Sequence, residues 1–391
     1  MAGEIELLPT RDLTYRLGHD VDGFAARSPV DVYFRKPGNL RKWQAALAKV
    51  RAGLGRARVV FIGDSKTVGN GAGTSSANTW STAAEPRSKI AHVVRQLNAA
   101  GIPANRQAWF GTNAFASPAI KIAYDPRLSG LANWTGGNAT LGGNFFATNL
   151  TNSLTFTPEG QCDTLETYYK QRSGDGTFTI NADGGATLAT LSGNSPTDGY
   201  LKNTVTVAKG AHAFNIQRTG GSFVSIGGML TYDSAVPAID VINGGAFGTV
   251  SSFHTSGNGS WAAANVLLVI LPDLVIIQLG SNDLNTNVDV ATYTANILDI
   301  ITKAKAAGAD VVLEIATFAN VGGYGTDEQR EAYRQALIRL GSTYGCVVVD
   351  HAARFVSFSN ANAIGLMRDA IHETEPGYAD EAQALVSALL F

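Results

Sequence analysis

Four short stretches of this chain carry groups that can do nucleophilic chemistry. Gly63-Asp64-Ser65 offers a hydroxyl, and Gly280-Ser281-Asn282-Asp283 an amide and a carboxylate. Asp369-Ala370-Ile371-His372 offers an imidazole with a carboxylate three residues earlier. Asn243-Gly244-Gly245-Ala246-Phe247-Gly248 offers backbone N–H groups with little side-chain cover. A serine hydroxyl is a weak nucleophile at neutral pH and needs a base. His372 can take its proton, because imidazole titrates near neutrality. In a turn or helical start, Asp369 and His372 project the same way, so the carboxylate can hold one ring nitrogen and leave the other facing Ser65.

The elements that must position these groups follow from periodicity. Residues 58–62 are a short apolar run ending at Gly63-Asp64-Ser65, which reads as a buried parallel strand. Further strands are expected at 238–242, 274–279, 310–315 and 346–349. Amphipathic helices fit 40–54, 88–100, 290–307, 327–340 and 377–390. Apolar strands alternating with such helices imply a doubly wound α/β sheet covered on both faces. The stretches at 63–65, 243–248 and 280–283 then lie at or near carboxyl ends of strands, the edge where open α/β sheets place their sites, and the stretch at 369–372 precedes the last helix.

Between residue 109 and about 235 the rhythm changes. Thr177-Phe178-Thr179-Ile180 and Thr204-Val205-Thr206-Val207 alternate every second residue, with turn signals such as Asp183-Gly184 and Lys209-Gly210 between strands. A structureless connection of that length is implausible, so residues 109–235 are expected to form an inserted all-β sandwich. The α/β domain would then comprise residues 39–108 and 236–391, after an irregular lead-in at 1–38.

Gly63-Asp64-Ser65, Gly248, Gly280-Ser281-Asn282-Asp283 and Asp369 with His372 resemble, in order, the four blocks of the SGNH (GDSL) hydrolase family. The resemblance covers roughly residues 40–105 and 236–391. It implies an α/β fold, a three-layer αβα (flavodoxin-like) SGNH-hydrolase domain, and a serine esterase. The implied catalytic residues are Ser65, Asp369 and His372. The implied oxyanion hole is the Ser65 N–H, the Gly248 N–H and the Asn282 amide, with Asp283 as a loop brace. Lys66 stands where the family often has an apolar residue and Glu373 where it often has proline; both are expected to alter only the rim of the site.

Each group has a plainer reading. A lone Gly-Asp-Ser is usually a turn, and Asn282 and Asp283 can simply cap a segment. Gly111, in Trp109-Phe110-Gly111-Thr112-Asn113, competes with Gly248. Of the other histidines, His19, His92, His212, His254 and His351, only His351 follows a strand, and its neighbour Asp350 points to another side. Gly69-Asn70-Gly71-Ala72-Gly73-Thr74 lacks phosphate-loop spacing and reads as a flexible loop. Trp134, Tyr168, Tyr169 and Tyr200 could be exposed for stacking on sugar rings, or could pack the sandwich core.

Composition bounds the rest. With 45% hydrophobic and 16% charged residues a sizeable core is available. The net charge of −2 and the lack of basic stretches interleaved with aromatics argue against nucleic acid. The apolar run at 266–280 is broken by Pro272 and Asp273, so no membrane insertion is expected. Cys162 and Cys346 fall in different expected domains, no metal motif is present, and no cofactor is expected. The first ten residues lack a signal pattern, which leaves a mature extracellular form, a phage-associated protein and a cytoplasmic one all open. The insert and the resemblance point to a carbohydrate O-acetylesterase acting on an acetylated glycan. A lipolytic, aryl-ester or thioester hydrolase of the same fold, and a glycan-binding or phage-tail-type structural protein, are the competing readings.

Overall fold

Aliphatic and β-branched runs bounded by turns become five parallel strands: β1 (Ala57–Gly63), β2 (Ile239–Gly245), β3 (Leu274–Gln278), β4 (Asp310–Ile315) and β5 (Val347–Asp350). The structure is a computed structural model and describes residues 25–26, 33–36, 38–74, 82–317, 319 and 324–390. Their spatial order is β5-β4-β3-β1-β2, with the two-residue strand Ala104–Asn105 parallel to the outer edge of β2. β1 therefore lies between β2 and β3, where the direction of winding reverses. Such a switch point opens a crevice at the carboxyl ends of the strands.

Among the described residues, six helices cover this sheet: α1 (Arg41–Arg51), α2 (Lys89–Ala99), α3 (Ala263–Ile270), α4 (Val290–Ala306), α5 (Asp327–Tyr344) and α6 (Glu375–Leu390). Successive strand residues point to opposite faces, and the core divides accordingly. Val59, Phe61, Val241 and Ile276 pack with Trp43, Leu47, Val93 and Leu385 of α1, α2 and α6. Val60, Ile62, Ile242 and Ile277 pack with Leu267, Ile297 and Leu337 of α3, α4 and α5. Each such side chain contributes about 1.5–3 kcal/mol of burial. Ser88 caps α2, Asp289 caps α4, and Thr326 with Gln329 forms a capping box on α5.

Most of the expected lead-in lies outside the described residues. Within it, Tyr33–Arg35 is not irregular: it pairs antiparallel with β5, and Ala25–Ala26 pairs with it in turn. The edge of β5 is covered this way.

Residues between 108 and 232 supply two antiparallel sheets. In the first the order is Gly199–Gly210, Cys162–Gln171, Val224–Tyr232, Gly143–Thr148 and Thr135–Thr140, with Ala108–Phe110 also on Val224–Tyr232. In the second it is Thr187–Ser192, Thr177–Ala182, Phe214–Gly220, Leu154–Phe156 and Leu128–Ser129. The two share one core, in which Phe146, Leu165 and Tyr169 meet Phe156, Phe178 and Ile216. Phe145, Tyr168 and Tyr200 belong instead to the core containing Trp261 and Leu267, where the first sheet meets α3.

The stacking role for the four aromatics does not hold. Trp134 and Tyr168 are 0% exposed, Tyr200 5% and Tyr169 7%. A sheet packed on both faces takes its bulkiest rings inside. The stretch also contains a helix, Pro118–Tyr124, started by Ser117, in a region where little helical periodicity was visible. Cys162 and Cys346 are free and buried. No helix among the described residues is long and apolar enough to cross a membrane.

Candidate active site

Ser65 opens a one-turn helix, Ser65–Val68, directly after β1, and Asp64 caps that turn by accepting the Lys66 N–H at 2.9 Å. The first N–H groups of a helix have no intrahelical acceptor, so the serine N–H is presented outward from the turn. Ser65 is 6% exposed. His372 Nε2 lies 2.9 Å from Ser65 Oγ, and His372 Nδ1 lies 2.8 Å from Asp369 Oδ2. The other carboxylate oxygen, Oδ1, accepts the N–H groups of Ile371 at 2.8 Å and His372 at 2.7 Å. Burial works to raise the Asp369 carboxyl. The His372 ring and these two N–H groups outweigh it and hold the group well below the usual carboxylate range. An ionised carboxylate on Nδ1 fixes a tautomer whose Nε2 lone pair faces the hydroxyl.

The other histidines are occupied elsewhere. His351 is buried against Glu314 at 2.7 Å, and Asp350 caps the turn that begins at His351. His254 lies 2.9 Å from Thr249 Oγ1, and burial lowers it to about 3. His212 pairs with Asp183 at 2.7 Å, and His92 lies 3.6 Å from Glu375. His19 lies outside the described residues.

The loop after β2 is stitched to the loop after β3. Ala246 N–H donates to Gly63 O at 2.8 Å, which lays this loop beside the serine turn. Asn282 Nδ2 donates to Thr249 O at 2.9 Å, leaving its second N–H available. Asp283 accepts the Ser251 N–H at 2.9 Å and the Ser251 hydroxyl, which is the expected bracing. Gly248 sits at φ 72, and a Cβ there would meet nothing within 4 Å, so its backbone fronts open space. Gly111 donates its N–H to Gly227 O at 2.8 Å and is used up in packing.

Contacts that the sequence did not reveal hold this edge from both sides. Asn113 Nδ2 donates to Gly245 O at 2.7 Å, and Phe247 N–H donates to Asn113 O at 2.9 Å. Tyr124 donates to Val68 O at 2.8 Å. The described part of the glycine-rich loop is not loose. Arg368 donates to Gly71 O and Gly73 O at 3.0 Å each, and a Cβ on Gly71 would lie 2.4 Å from Glu373 O. Lys66 and Glu373 are not on the rim either: both are buried and paired with each other.

Asp64, 1% exposed, is pushed up to about 6 by burial, against the Lys66 N–H and the charges of Lys66 and His372. Its folded value lies above the unfolded one. The stability this proton contributes is therefore complete below about pH 4 and is lost as pH rises through about 6. Asp64→Asn is expected to raise unfolding stability at pH 7 by up to about 3 kcal/mol, with the gain vanishing near pH 4. Urea unfolding of both proteins at the two pH values measures this; an equal gain at both would rule it out.

On the expectation that Asn282 is an oxyanion donor, Asn282→Ala should lower kcat by about 10²-fold with little change in KM. Steady-state kinetics on a short-chain nitrophenyl ester report the split; a KM effect with kcat intact would contradict it.

Sequence comparison adds the class. Residues 192–379 match the GDSL-like Lipase/Acylhydrolase family, a span that includes Gly248, Asn282, Asp369 and His372 and stops short of Ser65. That match gives the class, and the chain is a carboxylic ester hydrolase. It is similar in structure to a peptidoglycan O-acetylesterase at 19% identity and TM-score 0.61, over 89% of this chain and 95% of that one. A lipase/acylhydrolase from Enterococcus faecalis aligns over 39% of this chain and 76% of its own, at 21% identity and TM-score 0.34. No curated protein sequence matches the chain.

Proposed function

We propose that this chain is a carbohydrate O-acetylesterase in which Ser65 is the nucleophile, His372 the base and Asp369 the group that orients it. The observation that carries this reading is the unbroken line from Ser65 Oγ to His372 Nε2 at 2.9 Å and from Nδ1 to Asp369 at 2.8 Å. Ser65 Oγ attacks the ester carbonyl carbon while its proton passes to Nε2. The Ser65 and Gly248 N–H groups and the free N–H of Asn282 receive the oxyanion. Collapse breaks the bond to the sugar oxygen, which leaves as an alcohol with the proton from the imidazolium. Water, deprotonated by His372, then releases acetate from Ser65 and restores the hydroxyl.

A glycan substrate is supported by the rim. Residues 109–235 are read as an inserted sandwich beside a hydrolase domain of 39–108 and 236–391. Phe115 of that insert stacks 6.4 Å from Phe247, next to Gly248, and Phe247 is 38% exposed. Such a ring beside the oxyanion donors suits a pyranose face. The fold shared with a peptidoglycan O-acetylesterase across nearly the whole chain supports an acetylated glycan in particular.

Acetate release from a panel of acetylated polysaccharides and peptidoglycan tests the reading, with Ser65→Ala as control. Release that depends on Ser65, with nitrophenyl ester rates falling sharply beyond short acyl chains, is expected. No acetate from any glycan, alongside good cleavage of long-chain esters, would overturn it.

A further inference from the structure

Lys66 follows Ser65 in the chain and Glu373 follows His372, and the fold brings these two departures from the family pattern together. Their side chains are 1% and 0% exposed. Lys66 Nζ donates to Glu373 Oε1, to Thr317 Oγ1 at 2.8 Å and to the Ile371 carbonyl. Thr317 Oγ1 also donates to Glu373. One ammonium on the serine turn thus grips the residues immediately before and after His372. Away from this grip, the ring meets Asp369, whose side chain is 40% exposed, and Asn70 Nδ2 lies 3.5 Å from its Nε2.

We propose that Lys66 and Glu373 are positioning residues, a buried ionic clamp that fixes the His372 ring in register with the Ser65 hydroxyl. The inference rests on the reading of Ser65, His372 and Asp369 as the reacting set. Burying both charges is costly in itself, and an apolar pair of similar volume would stabilise the fold as well or better. What an apolar pair cannot do is donate to the Ile371 carbonyl and so hold the imidazole loop. Among the described residues, charged groups placed around His372 include Asp369 and Arg368 on its own loop, Asp64 at the end of β1, Lys66 and Glu373.

The test uses the full chain as Lys66→Met, Glu373→Gln and the double variant Lys66→Met/Glu373→Leu. Rates are taken per Ser65 labelled by an organophosphate, and Tm is measured alongside. Each single variant is expected to lose about 10-fold or more in kcat with KM within about 3-fold, as a small misplacement of a catalytic group does. The acid limb of the pH–rate profile moves up in Lys66→Met and down in Glu373→Gln, because each removes one sign of charge beside the ring. The double variant recovers Tm but not kcat. An ion pair that served only the fold would recover both, so recovery of kcat with Tm overturns the clamp, as does a wild-type kcat in either single variant. If the single variants do not fold, Thr317→Val keeps both charges and loses the shared hydroxyl. A several-fold fall in kcat is then expected, and an unchanged kcat overturns the proposal. Loss of the catalytic reading is a separate outcome: there Ser65→Ala itself would retain activity.

Discussion

Ser65→Ala will lower kcat for a short-chain ester by at least about 10⁴-fold, while KM stays within a few-fold of the wild type. The hydroxyl lies 2.9 Å from His372 Nε2, and it is a group that can form an acyl-enzyme. Without it, the proposed oxyanion donors would still bind the carbonyl, but the proposed base would be left with water to deprotonate. Residual activity should therefore lack any burst of released alcohol and should resist organophosphate. Stopped-flow measurement of the nitrophenolate burst, with mass spectrometry for a covalent adduct, checks both points. An undiminished burst in Ser65→Ala would assign the nucleophile elsewhere.

Asp369→Asn carries the second-largest effect, a fall in kcat of about 10²–10³. An amide at this position can offer N–H to Nδ1 and stabilise the ring with its proton on Nε2, pointed at the serine. A buried aspartate in this role is worth about 10⁴. Water reaches Asp369, at 40% side-chain exposure, and screens part of that contribution. Because the carboxyl is held well below its usual range, it stays ionised across the working range. The deficit should accordingly be near constant from about pH 6 to 9. A loss confined to one end of that range, or one below about 5-fold, would mean that Asp369 does not set the tautomer. His372 N–H also donates to Asp369 Oδ1 at 2.7 Å, so circular dichroism should accompany the kinetics to show that the turn survives.

The parts of this molecule that could be read from sequence are those with a local signature. The run at 58–62 is β1 almost residue for residue, since a strand buried on both faces must be continuously apolar. The Asp369–His372 spacing gave the correct side-chain projection because a turn of three residues decides it locally. What escaped was set by residues distant in the chain. Lys66 and Glu373 are 307 positions apart, and each alone looks like a solvated charge. Tyr168 and Tyr200 looked available for sugar because alternation tells which residues share a face, not what covers it. Asn113 carried no signal at all, yet it ties the antiparallel region to the loop of Gly248 through Gly245 and Phe247.

The pairing of Ala104 with Ile239 bears on how the chain is made. The polypeptide leaves the parallel sheet and rejoins it at adjacent points, and the lobe between them also packs on α3. Both neighbours of β1 follow that lobe in the chain and so emerge from the ribosome after it. The lobe can condense while β1 waits unpaired, and once it has, its two ends lie close enough that docking the later strands closes a short gap instead of a long loop. Vectorial synthesis thus assembles the nucleophile's surroundings last.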